Sequence, residues 1–355
     1  MRPIWPIALS LLICTESAAQ WAPEPSVTKA RLRGLAAVSE KVVWASGTLG
    51  TFVRTDDGGI TWKAGQVAGA EGLDFRDVHA FDDRRAFLLS IGEGDKSRIY
   101  QTDNGGVTWV LRFRNQDARV FLDALSFWNA DHGIALGDPV DGRFTVLLTD
   151  DGGLSWKPTT AAKMPQAKEG EGAFAASGTC LVVDGDRIAW FGTGGAVHAR
   201  VWRSLDRGQT WSVHDTPISA GQASSGLFSL AFRDQDHGVA VGGDYKGPDK
   251  TGLVAALTSD GGRTWTIPSG KPPAGYRSAV AYVPGASPPT VVAVGPTGSD
   301  LSTDGGESWS PLGTMGFHAV GCSGATDAGW GVGDNGLIAR FGGSFAAKPQ
   351  RPRAR

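Results

Sequence analysis

An eight-residue segment that recurs six times constrains this chain more than any other feature. It stands at Thr55–Trp62, Thr102–Trp109, Thr149–Trp156, Ser204–Trp211, Thr258–Trp265 and Ser302–Trp309, in the pattern Ser/Thr-x-Asp/Asn-x-Gly-x-Ser/Thr-Trp. Successive copies start 47, 47, 55, 54 and 44 residues apart. A period of that length marks an array of supersecondary units that bury their faces against one another. The third residue of each copy (Asp57, Asn104, Asp151, Asp206, Asp260 and Asp304) can accept hydrogen bonds from the backbone of its own turn. The glycine supplies a positive φ, and the tryptophan opens a strand with a large face to bury. These six residues read as scaffold, because one carboxylate per turn offers too few oxygens for calcium.

Each period holds four short β-rich segments. In the third they are Asp123–Trp128, Ile134–Gly137, Phe144–Leu148 and a strand opening at Trp156, with the loop Asp138–Gly142 between the second and third. No stretch has sustained helical periodicity. Four strands per unit of roughly 45 residues is the pattern of a propeller blade. Six octamers close six blades. A seventh follows Trp309 in Ala319–Cys322, Ala328–Gly333 and Leu337–Phe341, with no octamer and no fourth strand of its own. The segment from Trp21 is free to supply that strand, closing the ring and removing its edges. The expected fold is an all-β, seven-bladed β-propeller over residues 20–345, followed by a solvated tail at 346–355.

Composition agrees with this and narrows the function. Glycine, at 51 of 355 residues, supplies the many turns required. With 34 Lys+Arg against 36 Asp+Glu there is no dominant basic surface, so no nucleic-acid partner is expected. Three cysteines exclude a disulfide-built scaffold. No Cys/His cluster has metal-site spacing, and neither a metal nor a cofactor is expected. Residues 1–19 carry Arg2, an apolar core at Ile4–Ile13 and Ser17-Ala18-Ala19 before Gln20, the pattern of a cleaved signal peptide. The mature chain is therefore expected to be periplasmic or secreted. Its Cys180 and Cys322 fall on the inner strands of blades four and seven, too far apart across the channel for a disulfide.

The octamer is identified as the Asp-box, or bacterial neuraminidase repeat. Blade texts such as VVWASGTLGTFVRTDDGGITW and AGWGVGDNGLIARF resemble the photosystem II stability/assembly factor family. That resemblance covers nearly all of the chain after the signal segment. It implies an extracytoplasmic seven-bladed propeller that binds other proteins, a membrane-protein complex among them, as an interaction scaffold rather than as an enzyme. Sialidases, xyloglucan-cleaving glycosidases and sorting receptors carry the octamer too.

In a four-stranded blade the octamer turns and the loops between strands two and three lie at opposite ends. The Gly-rich loops therefore converge on one mouth, where function is expected. Asp138, Asp141 and Arg143 stand in Gly137–Arg143, Glu169 and Glu171 in the long link Lys157–Gly178, and Asp244 and Tyr245 in Gly242–Lys250. Arg33, Arg76 and Arg277 each lie five residues before the end of a blade's first strand, at Val38, Phe81 and Tyr282. His318 lies one residue from the matching place in blade seven. Clustered guanidinium groups suit carboxylates, phosphates or an acidic partner surface. The reading is a monomeric binding and assembly factor with a protein partner. The alternative is a secreted glycoside hydrolase. It would be sialidase-like, on the three arginines, or a carboxylate-pair enzyme, on Asp138, Asp141, Glu169, Glu171 or Asp244. A sialidase also needs a nucleophilic tyrosine, and the Phe/Tyr-Arg-Ile-Pro segment of that family is absent.

Overall fold

The computed structural model describes residues 20–159, 164–323 and 328–342. The signal-peptide and tail assignments lie outside these residues. The described chain folds into seven antiparallel sheets arranged as a β-propeller, one sheet per blade. Blade one is built from Leu32–Ala37, Val43–Gly47, Thr51–Thr55 and Lys63–Gln66, counted from the inner strand outward. The inner strands of blades two to seven begin at Asp74, Leu122, Leu181, Ser225, Ala279 and Ala319.

The octamers explain why the outer strands turn back where they do. In all six copies the first hydroxyl donates to the third side chain and accepts the N–H of the fixed glycine. The third side chain in turn accepts the N–H of the seventh residue. In the third copy Thr149 Oγ1 lies 2.8 Å from Asp151 Oδ1 and from the Gly153 amide, and Ser155 N lies 2.9 Å from Asp151 Oδ1. The same set recurs at the other five copies. Hydrogen bonds from Thr61 hold the Asp57 carboxyl at a pKa of about 2. The fixed glycines have φ between 76° and 104°, as the turn demands. A Cβ at Gly153 would also meet the Phe87 ring at 2.4 Å. Trp62, Trp156, Trp211, Trp265 and Trp309 are buried between blades. Trp109 is half-buried and lies across Trp44 and Phe52.

Ring closure follows the expected route. Gln20–Pro23 pairs antiparallel with Ile338–Gly342 in the seventh sheet, with Trp21 opposite Phe341. Trp21 packs against Phe317 and Phe341, and its Nε1 donates to Ser299 of blade six at 2.8 Å. Glu24 accepts a hydrogen bond from Trp62 Nε1 of blade one. One short segment thus ties three blades together.

Two local expectations change. Asp138–Gly142 is not an open loop. The strands Gly133–Val140 and Arg143–Thr149 stay paired up to Val140 and Arg143, so only Asp141 and Gly142 form the turn. Their φ values of 52° and 74° are those of a tight hairpin turn built on Asp-Gly. Blade five has three strands, and its outer edge is reduced to a bridge between Leu257 and Thr266. Pro268, Pro272 and Pro273 follow, and each removes a ladder donor.

Cys180 and Cys322 are both free thiols. Two measurements check the fold. Thr149→Val removes one hydroxyl at nearly constant volume and should lower the free energy of unfolding in urea by about 1–2 kcal/mol. Trp21→Ala should cost about 2–4 kcal/mol, short of the full cost for a wholly buried tryptophan, by loosening the closing strand.

Candidate functional site

Inner strands begin at the end of the ring opposite the octamer turns. In four blades the beginning is irregular in the same way. The pairing skips Arg33 between Leu32 and Gly34, Arg76 between Phe75 and Asp77, Asp123 between Leu122 and Ala124, and Phe228 between Leu227 and Ser229. Each skipped residue is a β-bulge, which leaves one residue out of the ladder and re-aims its side chain. All four line a central cavity of about 610 Å³. Its walls come from all seven blades: Arg31, Arg33 and Arg76 from the first two, and Phe121, Asp123 and Asp138 from the third. The loop Ala173–Ala176, Phe228, Tyr245, Tyr276, Pro296, His318 and Asp334 complete the ring.

The cationic wall is partly committed. Arg76 is paired with Asp74 at 2.9 Å and donates to the Ala175 carbonyl at 2.9 Å. Arg31 donates to Asp334 at 2.6 Å. His318 Nε2 lies 3.0 Å from the same Asp334 oxygen. Burial and the nearby Arg33 bring the His318 pKa down to about 4, so the ring is neutral at pH 7. Arg33 is different. Its Nε is buried with no hydrogen-bond partner, and no acid pairs with it among the described residues. Burial and the charges of Arg76 and Arg31 lower its pKa to about 10, only partly opposed by Tyr276 and Asp74, so it remains a cation with no salt bridge among the described residues.

The third blade contributes acids. Asp138 accepts the Ala173 amide at 2.9 Å, and burial raises its pKa to about 6. Asp123 is 1% exposed with an unpartnered Oδ2. Burial and the neighbouring Asp138 raise its pKa well above the carboxylate range. Aromatic rings form the adjoining wall. Phe174 stacks on Phe228 at 3.8 Å, and Tyr276 meets Phe228 edge-on at 4.7 Å.

The structure brings together Arg33, Arg76, Asp138, Tyr245 and His318 from the residues expected at the mouth. It places the others elsewhere. Arg277 is 2% exposed and turns into its own blade, where Nε and Nη2 reach Asp300 Oδ2 at 2.7 and 2.6 Å. Spacing matched it to Arg33 and Arg76, but Asp300 on the third strand of blade six captures it. Glu171 is a buried strut. Its carboxylate accepts from Arg200, Thr193, Trp202 and the Lys168 amide, so nothing remains for a ligand. Asp141 sits at its hairpin tip, bonded to Arg119 at 3.0 Å. Arg143 donates to the Met164 carbonyl and lines a separate cavity. Glu169 is exposed and Asp244 accepts the Lys246 amide; neither lines the central cavity.

Sequence reasoning missed Asp123, Phe228, Phe174 and Arg31. A signal for Asp123 was present. Counting five residues back from Trp128, as from Val38 and Phe81, lands on it.

No family model matches the chain. Among curated proteins, a xyloglucanase from Paenibacillus sp is 30% identical over 220 residues, covering 52% of this chain and 21% of that protein. The chain thus spans about a fifth of that relative's length. Solved structures match over nearly the whole chain. YCF48 bound to D1 peptide aligns with a TM-score of 0.61 at 15% identity, covering 94% of this chain and 96% of that one. YCF48 from Cyanidioschyzon merolae gives 0.64 at 16% identity, covering 91% and 99%. The WD40 propeller domain of Doa1 gives 0.58 at 12% identity, covering 93% and 100%. At these identities the likeness is one of fold: the chain is a seven-bladed β-propeller, similar in fold to those of YCF48.

The contrast between the two arginines can be measured. Arg277→Ala leaves Asp300 buried without its cation and should cost about 3–5 kcal/mol in urea unfolding. Arg33→Ala removes an unpaired, desolvated cation and should change stability by no more than about 0.5 kcal/mol.

Proposed function

We propose that this chain is an extracytoplasmic, monomeric binding and assembly factor whose central mouth holds an acidic segment of a partner protein. The observation that carries this reading is Arg33, a cation with no salt bridge among the described residues and an unpartnered Nε, beside Arg31 and Arg76 in the central cavity. A carboxylate from a partner supplies the missing charge and can be gripped in fork geometry. The cavity's size lies within the range of small-ligand and peptide-end sites. The D1 peptide in the YCF48 complex gives a precedent for a peptide ligand on this fold. The signal-like N-terminus supports a location outside the cytoplasm, and a membrane-protein complex is a suitable partner there.

The xyloglucanase match, together with two carboxyls of raised pKa in one cavity, favours a second reading. In it, Asp123 and Asp138 form the acid and base of a glycoside hydrolase.

One experiment separates the two. Wild type and an Arg31→Ala/Arg33→Ala double variant serve as baits in membrane and envelope extract, beside a panel of glycosides that includes xyloglucan. The binding reading expects one partner retained by wild type and lost from a double variant that melts like wild type. Equal retention by both baits overturns it. Turnover of a glycoside that disappears in Asp138→Asn establishes the enzyme instead.

A further inference from the structure

Among the described residues no ion pair reaches the acidic wall of the mouth, and the charge of Arg76 only partly offsets the burial of Asp123. Other buried or half-buried acids nearby are paired: Asp74 with Arg76, Glu171 with Arg200, Asp300 with Arg277. Asp123 and Asp138 are not, among the described residues. Asp123 accepts a hydrogen bond from the Ala175 amide and keeps Oδ2 unpartnered while 1% exposed. Asp138, less deeply buried, accepts the Ala173 amide on Oδ1 at 2.9 Å and forms no ion pair among the described residues. Both line the same cavity as the rings of Phe174, Phe228 and Tyr276.

Two carboxyls without counterions beside a wall of aromatic faces match one ligand chemistry, a cation with an apolar stem. The charge goes to the carboxylate and the stem or the charge to the ring faces. The arginines occupy blades one and two and the acids outside any salt bridge blade three, while Asp334 of blade seven is held by Arg31, so the cavity presents both signs on separate walls. A purely acidic segment would satisfy only one of them.

We propose that Asp138, with Asp123 deeper behind it, forms a cation subsite that takes the ammonium or guanidinium group of a lysine or arginine in the partner segment. This rests on the reading that the arginine wall holds a carboxylate of that same segment. The ligand is therefore dipolar, with a carboxylate and a basic side chain a few residues apart.

Cation binding requires Asp138 ionised. The groups facing it are Asp123, the buried Cys180 thiol and the Ala173 amide, and Arg76 acts on the neighbouring Asp123. Burial holds its pKa at about 6 in the free protein. The affinity for a basic side chain should therefore strengthen as pH rises from 5 to 7, as the proton leaves.

The probe is a synthetic library of random hexapeptides with free C-termini, selected on wild type, Asp138→Asn, Asp123→Asn and Arg33→Ala. Asn at 138 keeps the shape and the acceptor for the Ala173 amide, so this variant remains informative even where Asp123→Asn fails to fold. Wild type should enrich peptides that combine an acid or terminal carboxylate with Lys or Arg. Asp138→Asn should keep the acid and lose the basic residue, and Arg33→Ala should do the reverse. In a selected peptide, replacing Lys by norleucine should weaken wild-type binding by about tenfold and Asp138→Asn binding hardly at all. Enrichment of acids without Lys or Arg overturns the cation subsite and leaves the arginine reading standing. Enrichment unchanged by Arg33→Ala, or undiminished when the C-terminus of a selected peptide without acidic side chains is amidated, overturns the arginine reading and this proposal with it.

Discussion

Everything in this molecule depends on closing a ring of sheets that would otherwise end in two raw edges. Seven blades pack face to face, but the last has only three strands of its own, and an unfinished blade exposes unpaired amides and carbonyls. Gln20–Pro23 completes it from the far end of the chain. The contact is more than a ladder. Trp21 reaches Ser299 of blade six, and Glu24 is bonded to Trp62 of blade one, so the strand is fixed on both sides. Once the ring is closed, the inner strands hold a rigid circle, and residues far apart in sequence face one another across it.

The circle alone does not make a site, because regular strands direct side chains into blade interfaces. The mouth is populated because the inner strands of blades one, two, three and five each carry one bulge near their start. The extra residue cannot pair, and it faces the central cavity. The chain places Arg, Arg, Asp and Phe at those four positions, which makes the cavity cationic on one side, acidic on the next and aromatic beyond. The octamer turns at the opposite end spend their polar groups on themselves. The hydroxyl, the Asp or Asn side chain and the glycine amide satisfy one another in all six copies, which is the behaviour of scaffold.

The fold was legible from the sequence because it is written locally and repeated. Each octamer states a turn, a glycine with positive φ and a tryptophan, and their spacing counts the blades. The missing fourth strand after Leu337–Phe341 pointed to the N-terminal segment in the same way. The site was legible only in part, because it depends on who captures whom. Arg33 and Arg277 stand at matching places in sequence, yet Asp300 forms a salt bridge with one, and among the described residues no acid does so with the other. Glu171 resembled a mouth carboxylate until Arg200 and Trp202, about thirty residues on, were seen to enclose it. Asp141 was misplaced because Asp-Gly closes a hairpin two residues long, which carries it to the tip.

On the proposed reading, the protein works through the mouth and not through the octamer face. A photo-crosslinking amino acid in place of Tyr245, which lines the mouth at 46% exposure, can be compared with one in place of Leu154, which is 56% exposed at the tip of the third octamer turn. Irradiation with native envelope should give a discrete crosslinked species from position 245 that disappears in an Arg31→Ala/Arg33→Ala background, and none from position 154. A specific adduct from position 154, with none from 245, would contradict the account.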